Sequence, residues 1–117
     1  MSKKFVVEFL DDAAFQSVED LPDPEYDIAW ELLDNLRINP RFGKELENHP
    51  TLGDLSGART MYLIDFAEKK VEWPPPYRIV YRLLPNEEAP EKVQVIWAGE
   101  RRNGLVYETA ARRLGRL

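Results

Sequence analysis

The chain has 117 residues, 44 % of them hydrophobic and 32 % charged, with a formal net charge of −5. That is enough chain for one domain with a real core, and too apolar for a disordered one. It has no cysteine and one histidine, His49. Disulfides, thiolate metal sites, a cysteine nucleophile and any metal site needing two histidines are therefore excluded. No apolar run approaches the roughly 20 residues of a membrane span, and the apolar stretch after Lys3-Lys4 is too short for a signal peptide. A cytoplasmic protein with no membrane partner is expected. The charge is unevenly spread. Residues 1–68 hold 6 Lys/Arg and 15 Asp/Glu, residues 69–117 hold 10 and 6. An acidic half and a basic half suggest one basic working face.

The predicted elements run as follows. Phe5 to Leu10 is β-branched and aromatic and reads as a strand. Asp11 is placed to cap the next helix by accepting from first-turn N–H groups. Ala14, Val18 and Leu21 then repeat at helical spacing, and Pro22 stops the run. Asp23-Pro24 reads as a second start signal, a capping carboxylate followed by proline at the first helical position. Ile28, Ala29, Leu32, Leu33 and Leu36 form the second stripe, ended by Asn39-Pro40. Two helices joined by a short link suggest an antiparallel hairpin.

Residues 40–57 are polar and glycine-punctuated and read as a loop. Met61 to Phe66, Tyr77 to Leu84 and Val93 to Ala98 read as three strands. In the middle one, Tyr77, Ile79, Tyr81 and Leu83 share the face expected to meet the core, and Arg78 and Arg82 share the other. Residues 67–76, with Pro74-Pro75-Pro76, cannot fill a sheet interior and form a connection. Residues 85–90 are a turn. Val106, Ala110 and Leu114 place a last helix over 103–114. The expected fold is α+β, in the order β-α-α-β-β-β-α: a mostly antiparallel four-stranded sheet with an N-terminal helical hairpin, and helices on one face in two layers.

Several stretches together resemble the RelE/ParE superfamily of bacterial toxin–antitoxin modules. They are Asn39-Pro40 after the second helix, Leu55-Ser56-Gly57 before the second strand, Tyr77-Arg78-Ile79-Val80-Tyr81 in the third, and the ending from Gly99-Glu100-Arg101-Arg102 to Leu114. The resemblance spans nearly the whole chain as one toxin-like domain, residues 1–117. It implies one of two activities. RelE-like members are ribosome-dependent mRNA endonucleases, and ParE-like members inhibit gyrase without a nuclease site. It also implies a cognate antitoxin, a toxin–antitoxin hetero-oligomer, and ribosome and mRNA as partners of an active enzyme.

By resemblance, Arg78, Arg101 and Tyr107 are the catalytic candidates, with no metal and no cofactor. The chemistry is coherent. A 2′-hydroxyl attacking its neighbouring phosphate builds negative charge, and arginine stays charged and grips two phosphate oxygens at once. Tyrosine can stack on a base or move a proton. One departure stands out: RelE enzymes carry two lysines after a second-strand tyrosine, whereas Tyr62 here is followed by Leu63 and Asp65. Arg59, Lys69 and Lys70 are the candidates to supply that charge, with Arg82 and Arg102 as further RNA-binding candidates. Glu72 and Glu100 are the candidate bases, Trp73 a candidate base-stacking residue, and Arg112, Arg113 and Arg116 a candidate rRNA contact.

Overall fold

The computed structural model describes residues 4–49, 53–64 and 74–116. Strand β1 (Val6–Phe9) leads into helix α1 (Asp12–Glu19) and then α2 (Glu25–Leu36). Three two-residue strands follow: β2 (Lys44–Glu45), β3 (Asn48–His49) and β4 (Gly53–Asp54). The long strands β5 (Ala58–Tyr62), β6 (Tyr77–Leu84) and β7 (Lys92–Glu100) precede helix α3 (Leu105–Arg113). The main sheet has the order β1-β7-β6-β5-β2, with β1 parallel to β7 and the other pairs antiparallel. β3 and β4 form a small separate ribbon. The α+β class is as expected. The segment read as a loop over 40–57 instead supplies a fifth, edge strand and the ribbon.

Local signals explain most of the elements. Asp11 caps α1, its carboxylate accepting from the Ala14 N–H at 2.9 Å. The expected Asp23 cap does not form. Pro24 itself occupies the N-cap position of α2, and no side chain caps that helix. Asp23 therefore stands one residue too far upstream. The last helix also starts later than expected. Asn103 and Gly104 take left-handed backbone angles (φ 55° and 71°) in a short turn before α3. Asparagine and glycine tolerate that region best.

The two-layer expectation is corrected, because α3 packs on the opposite face of the sheet from α1 and α2. The first core joins Val18, Leu21, Ala29, Leu33 and Leu36 to Ile79, Tyr81, Leu83, Val93 and Val95. The second joins Val106, Ala110 and Ala111 of α3 to Val80, Ile96, Ala58 and Leu55. The signal for this second face was Val80, an apolar residue between Arg78 and Arg82. A register shift adds to it. Val80 faces Trp97 but Tyr81 faces Val95, leaving Ile96 as the extra residue of a bulge. Ile96 and Trp97 consequently both pack on the α3 side.

One hinge of polar contacts sets the position of β2. Tyr81, fully buried, donates from its hydroxyl to the Pro40 carbonyl at 2.7 Å and accepts from the Gly43 N–H at 2.8 Å. Arg59 then donates to the Gly43 carbonyl at 2.7 Å and the Arg41 carbonyl at 3.2 Å. A Cβ on Gly43 would lie 2.7 Å from the Tyr81 ring and 2.9 Å from the Thr60 carbonyl oxygen. The backbone there approaches as only glycine permits.

Candidate functional site

Two of the candidate residues, Arg78 and Tyr107, meet on the sheet's α3 face. Strand alternation puts Arg78 on that face, next to Tyr62, its cross-strand neighbour on β5. The Arg78 guanidinium carbon lies 3.9 Å from the Tyr62 ring centroid, a cation–π contact. Its Nη1 donates to the Tyr107 hydroxyl at 2.7 Å. The same hydroxyl is 3.4 Å from Thr60 Oγ1. Tyr107 stands on the first turns of α3, so the second core, by seating that helix, places the phenol over the sheet.

These four side chains line an open cleft of about 280 Å³, together with Lys44, Glu47 and Asn48. Leu46 and Leu55 supply its apolar wall. Among the described residues no carboxylate pairs with Arg78, and its Nε is shielded without a hydrogen-bond partner. Gly99 faces Arg78 across the β6–β7 pair and adds no side chain of its own there. A positive group held by two tyrosines, with donors to spare, suits an anion.

Arg101 is not in this cleft. Its backbone N–H donates to the Pro76 carbonyl at 2.9 Å, and its side chain lines an adjacent cleft of about 510 Å³ with Tyr77, Glu100, Arg102 and Asn103. Like Arg78 it has a shielded Nε without a partner. Glu100, one candidate base, belongs to this second cleft. It accepts from Tyr77 at 3.3 Å and from Arg102 at 3.2 Å. Burial, and then the Glu100 charge, push the Tyr77 phenol up from its ordinary range. Arg102 is exposed and its charge is partly answered by Glu100.

Arg59 corrects an expectation. It is 8 % exposed and faces away from the cleft. Its donors go to Glu87, Glu45 and the two backbone carbonyls already described. Burial alone would depress its charge, but the Glu87 hydrogen bond and carboxylate outweigh that and hold its pKa above the ordinary value. No donor remains for RNA; its role is to clamp residues 41–45. Arg82 shares the Arg78 face, but four residues further along β6, about 13 Å by strand rise. It donates from Nε to Gln94 at 2.8 Å. Burial, and then Arg116, lower its pKa.

The other basic candidates are occupied locally. Arg112 pairs with Glu108 at 2.9 Å, Arg113 pairs with Asp11, and Arg116 donates to the Ser56 carbonyl at 2.8 Å. Lys69, Lys70, Glu72 and Trp73 lie outside the described residues. Five polar cleft residues were missed as candidates. Thr60 fell before the expected start of its strand, Lys44, Glu47 and Asn48 fell in a segment read as loop, and Tyr62 entered only as the tyrosine of the resemblance. The available signal was alternation across 58–62, which puts Thr60 and Tyr62 on one face.

No family model matches this chain, and no curated protein matches its sequence. Solved structures do. An arginine-to-alanine double mutant of E. coli toxin RelE in the free state superposes with a TM-score of 0.60 at 20 % identity, covering 95 % of this chain and 98 % of that one. The toxin–antitoxin complex RelBE2 from Mycobacterium tuberculosis gives 0.52 at 20 % identity, covering 84 % and 92 %. The archaeal RelE–RelB complex from Pyrococcus horikoshii OT3 gives 0.54 at 15 %, covering 86 % and 99 %. With its mixed sheet between a helical hairpin and a C-terminal helix, the chain has the fold of the RelE toxins.

Proposed function

We propose that this chain is a single-domain RelE-like toxin that cleaves mRNA on the ribosome and is held inactive by a cognate antitoxin. The observation that carries the reading is Arg78: cationic, without a carboxylate partner among the described residues, and hydrogen-bonded to Tyr107 in an open cleft. A phosphate in that cleft would take Arg78's spare donors as its oxygens gain charge, an interaction stronger in the transition state than before it. The 2′-oxygen gives its proton to solvent water and bonds to phosphorus, and the P–O5′ bond breaks. The 5′-oxygen then takes a proton. Tyr107 accepts from Arg78, so its own hydrogen can pass to that oxygen in place of the long contact with Thr60. Arg101, in the adjacent cleft, would hold the flanking strand. Two of the fold neighbours are toxin–antitoxin or RelE–RelB complexes, and a similar hetero-oligomer is proposed for this chain.

Expression of the wild type should arrest bacterial growth, and Arg78→Ala or Tyr107→Phe should relieve the arrest while the far-UV spectrum stays unchanged. A folded Arg78→Ala protein that still arrests growth would remove the nuclease reading. A second reading then takes over, a toxin-fold protein that acts by binding alone, to gyrase or only to an antitoxin. One observation favours it. Leu63, at one of the two positions where RelE enzymes place lysine, is 3 % exposed within the first core.

A further inference from the structure

Lys44 is a cleft cation that the proposed mechanism does not use. It enters on β2, where it faces Thr60 while Glu45 faces Arg59. Directly opposed residues share a face of the sheet. Glu45 turns to Arg59, 3.1 Å away, on the side remote from the cleft. Lys44 therefore stands on the same side as Thr60, Tyr62, Arg78 and Tyr107, and it lines their cleft. Its side chain is exposed and has no ion-pair partner among the described residues. Among the described residues, the only carboxylate lining this cleft is Glu47, against the two cations Lys44 and Arg78.

The position is also built. The residue before Lys44, Gly43, is fixed through both of its backbone polar groups, by Tyr81 at its N–H and by Arg59 at its carbonyl. A two-residue strand on a polar segment would otherwise be loosely held. Two interstrand spacings separate β2 from β6, so Lys44 and Arg78 rise from lines roughly 10 Å apart. They flank the cleft, with Thr60 and Tyr62 on the strand between them. An ammonium on a long stem suits a phosphate, as a point charge with three donors.

We propose that Lys44 contacts a backbone phosphate of single-stranded RNA in this cleft, opposite Arg78, and so supplies from the edge strand the positive charge that β5 lacks. The inference rests on the proposed action on RNA, but its test does not require cleavage. A short labelled single-stranded RNA is titrated with the wild type, Lys44→Ala, Lys44→Arg and Lys4→Ala by fluorescence anisotropy, across about 0.05–0.2 M salt. Losing one phosphate contact should make the slope of log affinity against log salt shallower by about 0.7, and should weaken binding about fivefold near 0.1 M salt. Lys44→Arg should keep the wild-type slope, and Lys4→Ala should match the wild type. Equal slopes and affinities for folded Lys44→Ala and wild type would overturn the proposal, as would a wild type that does not bind the RNA. Lys44-dependent binding without any ribosome-dependent cleavage would keep Lys44 as a phosphate contact and remove the nuclease.

Discussion

Replacing Tyr81 by phenylalanine tests how the cleft's edge strand is held. The ring stays, so the packing against Ile79, Leu83 and Val95 in the first core is preserved. What goes is one hydroxyl serving two buried backbone groups, the Pro40 carbonyl at 2.7 Å and the Gly43 N–H at 2.8 Å. Each orphaned buried group costs about 1–3 kcal/mol, partly offset because the phenol no longer needs to be desolvated. The net loss should be about 2–4 kcal/mol, which lowers Tm by roughly 8–16 °C in a domain of this size. Urea unfolding followed by tryptophan fluorescence reads this as a lower midpoint at unchanged m-value. In the RNA titration, Tyr81→Phe should also weaken the Lys44 contribution, since β2 is no longer fixed. A loss below about 0.5 kcal/mol would show that the hydroxyl is not the fastening described, because water or a shifted loop then satisfies both groups equally well.

The same phenol sets an alkaline limit. Burial pushes Tyr81 up to about 12 from 10.0. The unfolded state thus releases its proton first, and stability falls as pH rises from 10 toward 12. The full difference is about 3 kcal/mol, and urea midpoints in that window should fall less for Tyr81→Phe. Gly43→Ala should destabilise by about 1–3 kcal/mol, because the new methyl meets Tyr81 and a backbone carbonyl within 2.9 Å; a gain in the urea midpoint would contradict the packing described. Ser17→Ala should cost about 1–2 kcal/mol by the same assay. The Ser17 hydroxyl donates to the Ala14 carbonyl at 2.6 Å and accepts from the Ala98 N–H at 3.0 Å, tying α1 to β7. A neutral effect would mean that Ala98 finds another acceptor.

The parts of the fold legible in the sequence were those with a local cause. The Asp11 cap, the stripes of α1 and α2 and the two-residue alternation of β6 each depend on neighbours a few positions apart, and each formed. What was not legible depended on distant pairing. The two-residue strand at Lys44–Glu45 has no strand signature of its own. It exists because Tyr81 and Arg59, far along the chain, hold the backbone against β5. The bulge at Ile96 likewise comes from the β6–β7 register. For the candidate site, alternation put Arg78 on the face opposite the first core and the resemblance pointed to Tyr107, and the structure brings these two into contact. Arg59 was misread because a buried arginine with two carboxylates looks, in one dimension, like any strand arginine. Its partners Glu45 and Glu87 are 14 and 28 residues away.

The most direct measurement is primer extension on a defined message in a purified translation system, with wild type and Arg78→Ala. Wild-type protein should cut only when ribosomes are present and in register with codons, and Arg78→Ala should cut about 10²–10³-fold more slowly, the loss expected for one transition-state charge contact. An intact message with folded wild-type protein, or wild-type cutting by folded Arg78→Ala, would contradict the assignment of this cleft to RNA cleavage.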